Sequence, residues 1–423
     1  MFLRQLGLFI YLCHAFILSE EVFHTYFTFL KDPSTSIVLN VHSTNYPSIS
    51  CTIKKQDAIV KTIKSEGHHF PLPDHDRFLH FISCDQLLPE TLYTFEIYAE
   101  EKLLKVTQVE TLSSDLEKIK VAIGGDLEII QVAKPILTKM ASLEPSVIFF
   151  GGDYPKGVNS LADYKKWDEW LEITTNLLVK KNGAAIPWIM AIGNNEVFGS
   201  FDQPVENAPF FHAYFKQSTS PFHYFSLKLH HDLALVILDS GLTEKHDGDQ
   251  KKWLIERLEE YKDVPLKMAL YHVPIYPSVR FSEKNWYYRL AQSISKLKEK
   301  KSIANRLFSP QSRDGMIHWA PIFDQYQLTV AFEHHDHCLK RAGPIKDGKA
   351  HPHEGTYYLG DGSLAPFPQF TPLQKFFDTR IKKSIGHIQF FWFMTFEKDK
   401  IHFHAISHYG KSIDQFSIKG PYE

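Results

Sequence analysis

Cysteine is scarce in this chain, four among 423 residues, and no cysteine cluster points to a thiolate metal site. A strong charge of either sign is missing as well. The 47 Lys and Arg against 49 Asp and Glu leave a net charge of −2, so no basic surface argues for a nucleic-acid partner. Past the N-terminus no segment is apolar for long enough to cross a bilayer. Internal repeats and low-complexity tracts are not apparent, which argues against solenoids and low-complexity arrays. No Asn-x-Ser/Thr sequon occurs; this is unusual for a heavily glycosylated secreted enzyme but does not exclude secretion. What is there is an ordinary globular composition, 43% hydrophobic and 23% charged, on a chain long enough for two domains and a large core.

The N-terminus, MFLRQLGLFIYLCHAFILSEE, carries one basic residue, Arg4, and then an apolar stretch interrupted by His14 before Ser19-Glu20-Glu21. That is the grammar of a secretory signal over residues 1–19, with an uncleaved anchor as the alternative. Secretion or a lysosome-like lumen is the expectation, with no stable membrane span once the signal is removed. Cys13 falls within it. Cys51 and Cys84 would be able to pair in an oxidising compartment if their strands are adjacent, and Cys338 reads as a buried thiol.

Residues 22–115 read as short strands with polar or Pro-containing breaks: SIVLNVHS, SISCTIKK, RFLHFIS, LYTFEIYAE and LKVTQVETL. The pattern suits an all-β sandwich. Leu88-Pro89-Glu90-Thr91-Leu92-Tyr93 resembles the tyrosine corner of a fibronectin type III module, the alternative being a Tyr93 that is simply a core aromatic. From residue 118 to 423 strands alternate with helices. IIQVAKPILTKMASL and ADYKKWDEWLEITTNLLVKK have helical spacing, the second with Trp167, Trp170, Leu171, Thr174 and Leu178 on one face as packing material.

Five apolar runs in that region break off into residues that favour metals. They are KVAIGGD at Asp126, VIFFGGD at Asp153, PWIMAIGNNE at Asn194, KMALYH at His272, and LTVAFEHHDH at His335 and His337. Continuous apolar strands suit a parallel sheet buried on both faces, and ligands collect beyond the carboxyl ends of such strands. Carboxylate, amide and imidazole together suit Zn, Fe, Mn or Mg. Each residue also has an ordinary reading: Asp126 as a helix cap, Asp153 as a turn cap, Asn194 in a left-handed turn, and the two histidines on one strand face. Convergence of all five strand ends on one site is the reading their common placement favours.

In order, GGDLE (124–128), GGDYPK (151–156), GNNE (193–196), YHVPIYPS (271–278) and HHDHCLKR (334–341) resemble the metal-binding blocks of the calcineurin-like metallophosphoesterases, and within them the purple acid phosphatases. Those blocks run GDxG, GDxxY, GNH[ED], a strand-end His, and GHxH. The likeness continues through YFSLKLHHDLALVILDS, GDQKKWLIERL, TYYLGDG and the tail IHFHAISHYGKSIDQFSI. The resemblance implies an α/β (α+β) two-sheet sandwich flanked by helices, behind the fibronectin type III-like domain. It also implies a dinuclear acid phosphatase that hydrolyses phosphomonoesters through a metal-bridging hydroxide. The cofactors would be two metal ions, Fe with Zn or Mn, the substrate a phosphate ester, and a homodimer is compatible with it. By position, Asp126 and His337 would hold the first metal, Asn194, His272 and His335 the second, and Asp153 would bridge them.

Departures from the family pattern are concentrated at the chemistry. The tyrosine of GDxxY, which ligates ferric iron in the family, falls at Lys156, and Tyr154 next to Asp153 should point elsewhere. For Lys156 the expectation is solvent. Glu128 takes the glycine position of GDxG and is the candidate replacement ligand for the first metal, the alternative being a surface Glu at a helix N-terminus. Asn195 takes the catalytic position of the histidine that contacts phosphate and protonates the leaving group, and an amide does not titrate near neutrality. Glu333 and His334 replace small residues, with His334 expected to face away from the metals. Residues 281–315 depart most and are expected at the site mouth or one flank. A catalytically silent binding protein and a phosphodiesterase are the competing functions.

Overall fold

The computed structural model describes residues 22–284, 289, 293, 308–360, 362–365 and 378–421. The signal segment and most of 281–315 lie outside the described residues. The chain opens with eight strands: β1 (Val22–Thr28), β2 (Ser36–Ser43), β3 (Ser48–Lys55), β4 (Ala58–Glu66), β5 (His68–Pro71), β6 (Asp76–Asp85), β7 (Leu92–Ala99) and β8 (Lys102–Glu110). They form two four-stranded sheets, ordered β1-β2-β6-β5 and β4-β3-β7-β8. In β7 every second residue is buried, the alternation of a strand with one wet face. The Tyr93 hydroxyl accepts from the backbone N–H of Leu88 at 2.9 Å, closing the bend that precedes β7. Cys51 and Cys84 are both buried and free, on β3 of one sheet and β6 of the other, so the adjacent-strand pairing does not arise.

Strand β2 departs from alternation because it is buried on both faces. Ile37, Leu39 and Val41 fill the sandwich, while the opposite face meets the second half of the chain. There Asn40 Oδ1 accepts from Lys216 N at 3.3 Å, and His42 packs edge-on against Tyr214. Beside them the fully buried Arg77 donates to both oxygens of Asp168 at 2.7 and 2.8 Å and to the Tyr214 hydroxyl at 3.0 Å. His24 Nε2 joins the same carboxylate at 3.2 Å. The two halves are docked through a charged, hydrogen-bonded seam.

The second half holds two sheets face to face. One runs β11-β10-β9-β20-β21-β22, with β9 (Lys120–Gly124), β10 (Val147–Phe150) and β11 (Trp188–Met190) parallel and β20 (Phe390–Phe396), β21 (Lys400–Ser407) and β22 (Ser412–Lys419) antiparallel. The other is built on β12 (Phe225–His230), β13 (Leu233–Ile237), β14 (Leu266–Leu270) and β15 (Val330–Glu333). It continues through β16 (Leu339–Lys346), β17 (Lys349–Ala350), β18 (Thr356–Gly360) and β19 (Ile381–Ile385), with β13, β14, β15 and β18 parallel. Alternate residues of these strands face opposite cores. Ile123, Phe149, Leu270 and Phe332 meet between the sheets. Ala122, Ile148 and Phe150 turn outward onto α1 (Ile130–Ser142) and α2 (Tyr164–Leu177). Ala234, Val236 and Ala269 turn outward onto α4 (Asp249–Glu260) and α6 (Ala320–Gln325); α3 (Pro209–Tyr214) and α5 (Pro310–His318) are further helices. Burial on both faces is why these strands read as unbroken apolar runs. Trp167 and Trp170 are fully buried on α2, so they are packing residues.

The docking seam generates two predictions. Removing Asp168 strands the Arg77 guanidinium in the interior, so Asp168→Ala should cost about 3–5 kcal/mol in a denaturant titration; a change within about 0.5 kcal/mol would show the pair to be dispensable. Burial also lowers the pKa values of His24, His42 and His80, and it brings His223 and His246 down to about 3. The unfolded chain takes up these protons near pH 6.5 and the folded chain only at lower pH, so stability present above about pH 6.5 is lost as pH falls. Asp239 and Glu196, raised by burial to about 6 and about 8, and His272 and His337, raised by the carboxylates beside them, work in the opposite sense but are fewer than these five histidines. Tm should therefore fall between pH 7 and pH 5, and a Tm that holds or rises would contradict the balance.

Candidate metal centre

The carboxyl ends of β9, β10, β11, β14 and β15 point to one place and deliver all five sequence blocks to it. Each parallel strand stops at a tight turn, and the turns are strained. Asp126, Asp153, His335 and His337 have φ of 57°, 57°, 68° and 41°, a left-handed region that costs a non-glycine residue about 1 kcal/mol or more. Close approach makes glycine necessary beside them. A Cβ on Gly193 would lie 2.2 Å from Asp153 N and 2.5 Å from Asp153 Oδ1.

Two groups of side chains emerge, each with candidate ligand atoms within 4.8 Å of one another: Asp126, Asp153, His272 and His335, and then Asp126, Glu128 and His337. Asp126 is the carboxylate common to both groups, and Asp153, expected to bridge the two metals, lies in the first. In the first group His272 Nδ1 lies 2.8 Å from the Gly151 carbonyl, which fixes the proton on that nitrogen. Its Nε2 then faces Asn194 Oδ1 at 3.1 Å, His335 Nδ1 at 3.1 Å and Asp153 Oδ1 at 3.4 Å. Carboxylate and amide oxygens thus converge on one imidazole nitrogen, a donor set that a proton on that nitrogen or a metal ion among them would satisfy. Burial opposes a charge on His272, but the Asp153 carboxylate outweighs it and raises the ring to about 10; the hollow thus favours positive charge. Oxygen and nitrogen donors of this kind fit divalent Zn, Mn or Fe.

The second group carries the departures from the family pattern. Glu128 is 8% exposed, not a surface residue, and its Oε1 lies 3.9 Å from His337 Nε2. His337 Nε2 in turn lies 3.0 Å from Asp126 Oδ1. Asn195 Nδ2 donates to Glu128 Oε1 at 3.1 Å, and its backbone N–H donates to Asp153 Oδ1 at 2.8 Å. Lys156 does not turn to solvent as expected: its ammonium donates to Glu128 Oε2. Tyr154 is fully buried and donates its hydroxyl to Ala191 O at 2.7 Å, so it does not stand in for the family's tyrosine ligand. His334 packs against the Gly125 and Gly151 backbone, where burial brings its pKa to about 3.

Sequence reading missed the residues that hold the turns in place. The buried Glu196 carboxylate accepts three backbone N–H groups, from Asp153, Tyr154 and Gly193, each at 2.8 Å. Glu333 accepts from the Tyr271 hydroxyl at 2.7 Å and from Ile275 N at 2.6 Å, and it forms a buried ion pair with Lys340. Asp336, between the two site histidines, accepts from Ser278 N and Val279 N at 3.1 and 2.9 Å. Only the motif positions of Glu196 and Asp336 hinted at these roles. Truncating Glu196 leaves three buried amides without an acceptor, each costing about 1–3 kcal/mol. Glu196→Ala should therefore lower stability by at least about 3 kcal/mol, and Glu196→Gln should weaken Mn or Zn binding about 10–100-fold in a calorimetric titration. Unchanged metal affinity in Glu196→Gln would show that the carboxylate does not set the site.

A search of curated proteins finds no sequence that matches the chain. Residues 120–305 match the sequence profile of the calcineurin-like phosphoesterase family; His335 and His337 lie beyond that span, and the fold returns them to it. Among solved structures, a purple acid phosphatase, PPD1, from yellow lupin (Lupinus luteus) seeds is similar at 14% identity. That match covers 95% of this chain and 74% of the lupin chain, with a TM-score of 0.71. PhoD is similar at 13% identity over 96% of this chain and 94% of its own, with a TM-score of 0.64. At such identities the likeness is one of fold: the chain shares the metallophosphoesterase fold of these two structures, and its residues 120–305 match the calcineurin-like phosphoesterase profile.

Proposed function

We propose that this chain hydrolyses phosphate esters, phosphomonoesters foremost, at a centre of two metal ions. Asp126, Glu128 and His337 hold one, and Asp153, Asn194, His272 and His335 hold the other. The observation that carries this reading is the inward convergence of Asp153 Oδ1, Asn194 Oδ1 and His335 Nδ1 on His272 Nε2, 3.1–3.4 Å away. When bound, two such ions supply the Lewis acidity and the activated water that phosphoester hydrolysis needs. With Tyr154 turned away and no thiolate at the centre, the donors favour divalent Zn, Mn or Fe over a ferric–tyrosinate pair.

The chain's own residues divide the remaining work. Three carboxylates bring −3 against +4 from two divalent ions, which leaves a positive hollow for a phosphate dianion. Glu196, Glu333 and Asp336 keep the turns rigid, so the hollow keeps its shape. Asn195 spends its amide on Glu128 and offers no titratable proton, so substrates with good leaving groups are favoured. Secretion or a lysosome-like lumen is the location the N-terminal segment supports. One observation supports a second reading, a metal-binding relative without turnover: Lys156 and Asn195 together occupy both oxygens of Glu128.

The test is the purified protein reconstituted with Mn, Zn or Fe, its metal counted, and its activity measured on a chromogenic phosphomonoester and a diester beside Asp153→Asn. Hydrolysis of the monoester at least about 100-fold above the variant, without visible iron–tyrosinate absorption, is expected. Two bound ions with activity equal to Asp153→Asn would establish the silent reading.

A further inference from the structure

Lys156 is an unusual surface lysine. Its side chain is 54% exposed, yet its charged head turns inward to a carboxylate that is itself 5% exposed. A lysine at a protein surface ordinarily keeps its stem against the protein and its ammonium in water. Here the arrangement is reversed, and the backbone reinforces it: Lys156 N–H donates to the Glu128 carbonyl at 3.2 Å. The other oxygen of Glu128 is held by Asn195, whose own N–H is on Asp153. Lys156, Glu128 and Asn195 therefore form one rim of the centre, with the lysine at its solvent edge.

Resting on the phosphoesterase reading above, we propose that Lys156 is an anion-binding, specificity-determining residue of that site. Glu128 tethers the ammonium through one of its three protons. The side chain is 54% exposed, which leaves the other two open to the phosphoryl oxygens of an incoming ester. The lysine adds one positive charge to the hollow left by the carboxylates and two divalent ions. A phosphomonoester dianion gains more from that charge than a diester monoanion does, so Lys156 biases the site toward monoesters. Ammonium–phosphate pairing is a point-charge interaction and does not need the planar fork of an arginine.

The experiment is calorimetric titration of inorganic phosphate into the full chain reconstituted with Mn, for wild type, Lys156→Met and Lys156→Arg, with metal counted in each. Expected are two ions in all three, phosphate binding about 10-fold weaker in Lys156→Met, and Lys156→Arg within about threefold of wild type. The gap should narrow as salt is raised. In parallel, Lys156→Met should raise KM for the monoester more than for the diester. Equal phosphate affinity in Lys156→Met with both ions retained would overturn the proposal and reduce Lys156 to a neutralising partner of Glu128. Loss of an ion in Lys156→Met would overturn it in favour of a role in holding the metal. Failure of the wild type to bind phosphate with both ions in place would remove the phosphoesterase reading and this proposal together.

Discussion

One buried carboxylate governs the geometry of the centre. Glu196 accepts backbone N–H groups from Asp153, Tyr154 and Gly193, and so staples the turn after β10 to the turn after β11. Without that acceptor the left-handed backbone at Asp153 would have little to hold it, since the local preference runs the other way. The same staple brings Asn195 N–H onto Asp153 Oδ1. Through Asn195 it reaches Glu128, and through Asp153 it reaches His272. The ligand atoms converge because the turns are fixed to each other before any ligand is considered.

A second layer repeats the device on the other sheet. Glu333 and Lys340 form an ion pair with almost no solvent contact, a costly arrangement offset by the further hydrogen bonds that both partners make. Glu333 also holds Tyr271 and Ile275, the residues flanking His272, and Lys340 donates to Tyr276 O at 2.8 Å. Asp336 does the same for residues 278 and 279. Residues that looked like erosion of a motif thus serve as its brackets. Asn195, Lys156 and Glu128 likewise form one bonded unit, so three departures from the family pattern amount to one linked exchange.

The large features were legible in the sequence because they rest on burial. Strands covered on both faces must be apolar throughout, and VIFF, LALVI and KMAL announced the sheets together with the ends at which Asp153 and His272 appear. The helical face of Trp167, Trp170 and Leu171 was legible for the same reason. Polar pairing across distance was not. Nothing near Arg77 in the chain points to Asp168, 91 residues on, and the inward reach of Lys156 depends on Glu128 coming from another strand end. Such partners are chosen by the fold, and a single sequence carries no periodicity that reports them.

Strand β2 has no wet face. Half of its side chains belong to the β-sandwich, and the other half sit beside Tyr214 and Lys216 of the second half of the chain. The sandwich is therefore a structural wall of that half rather than a tethered accessory. Cutting the chain between the two halves would uncover an apolar and hydrogen-bonded surface on each piece, so a substitution on β2 bears on both halves at once.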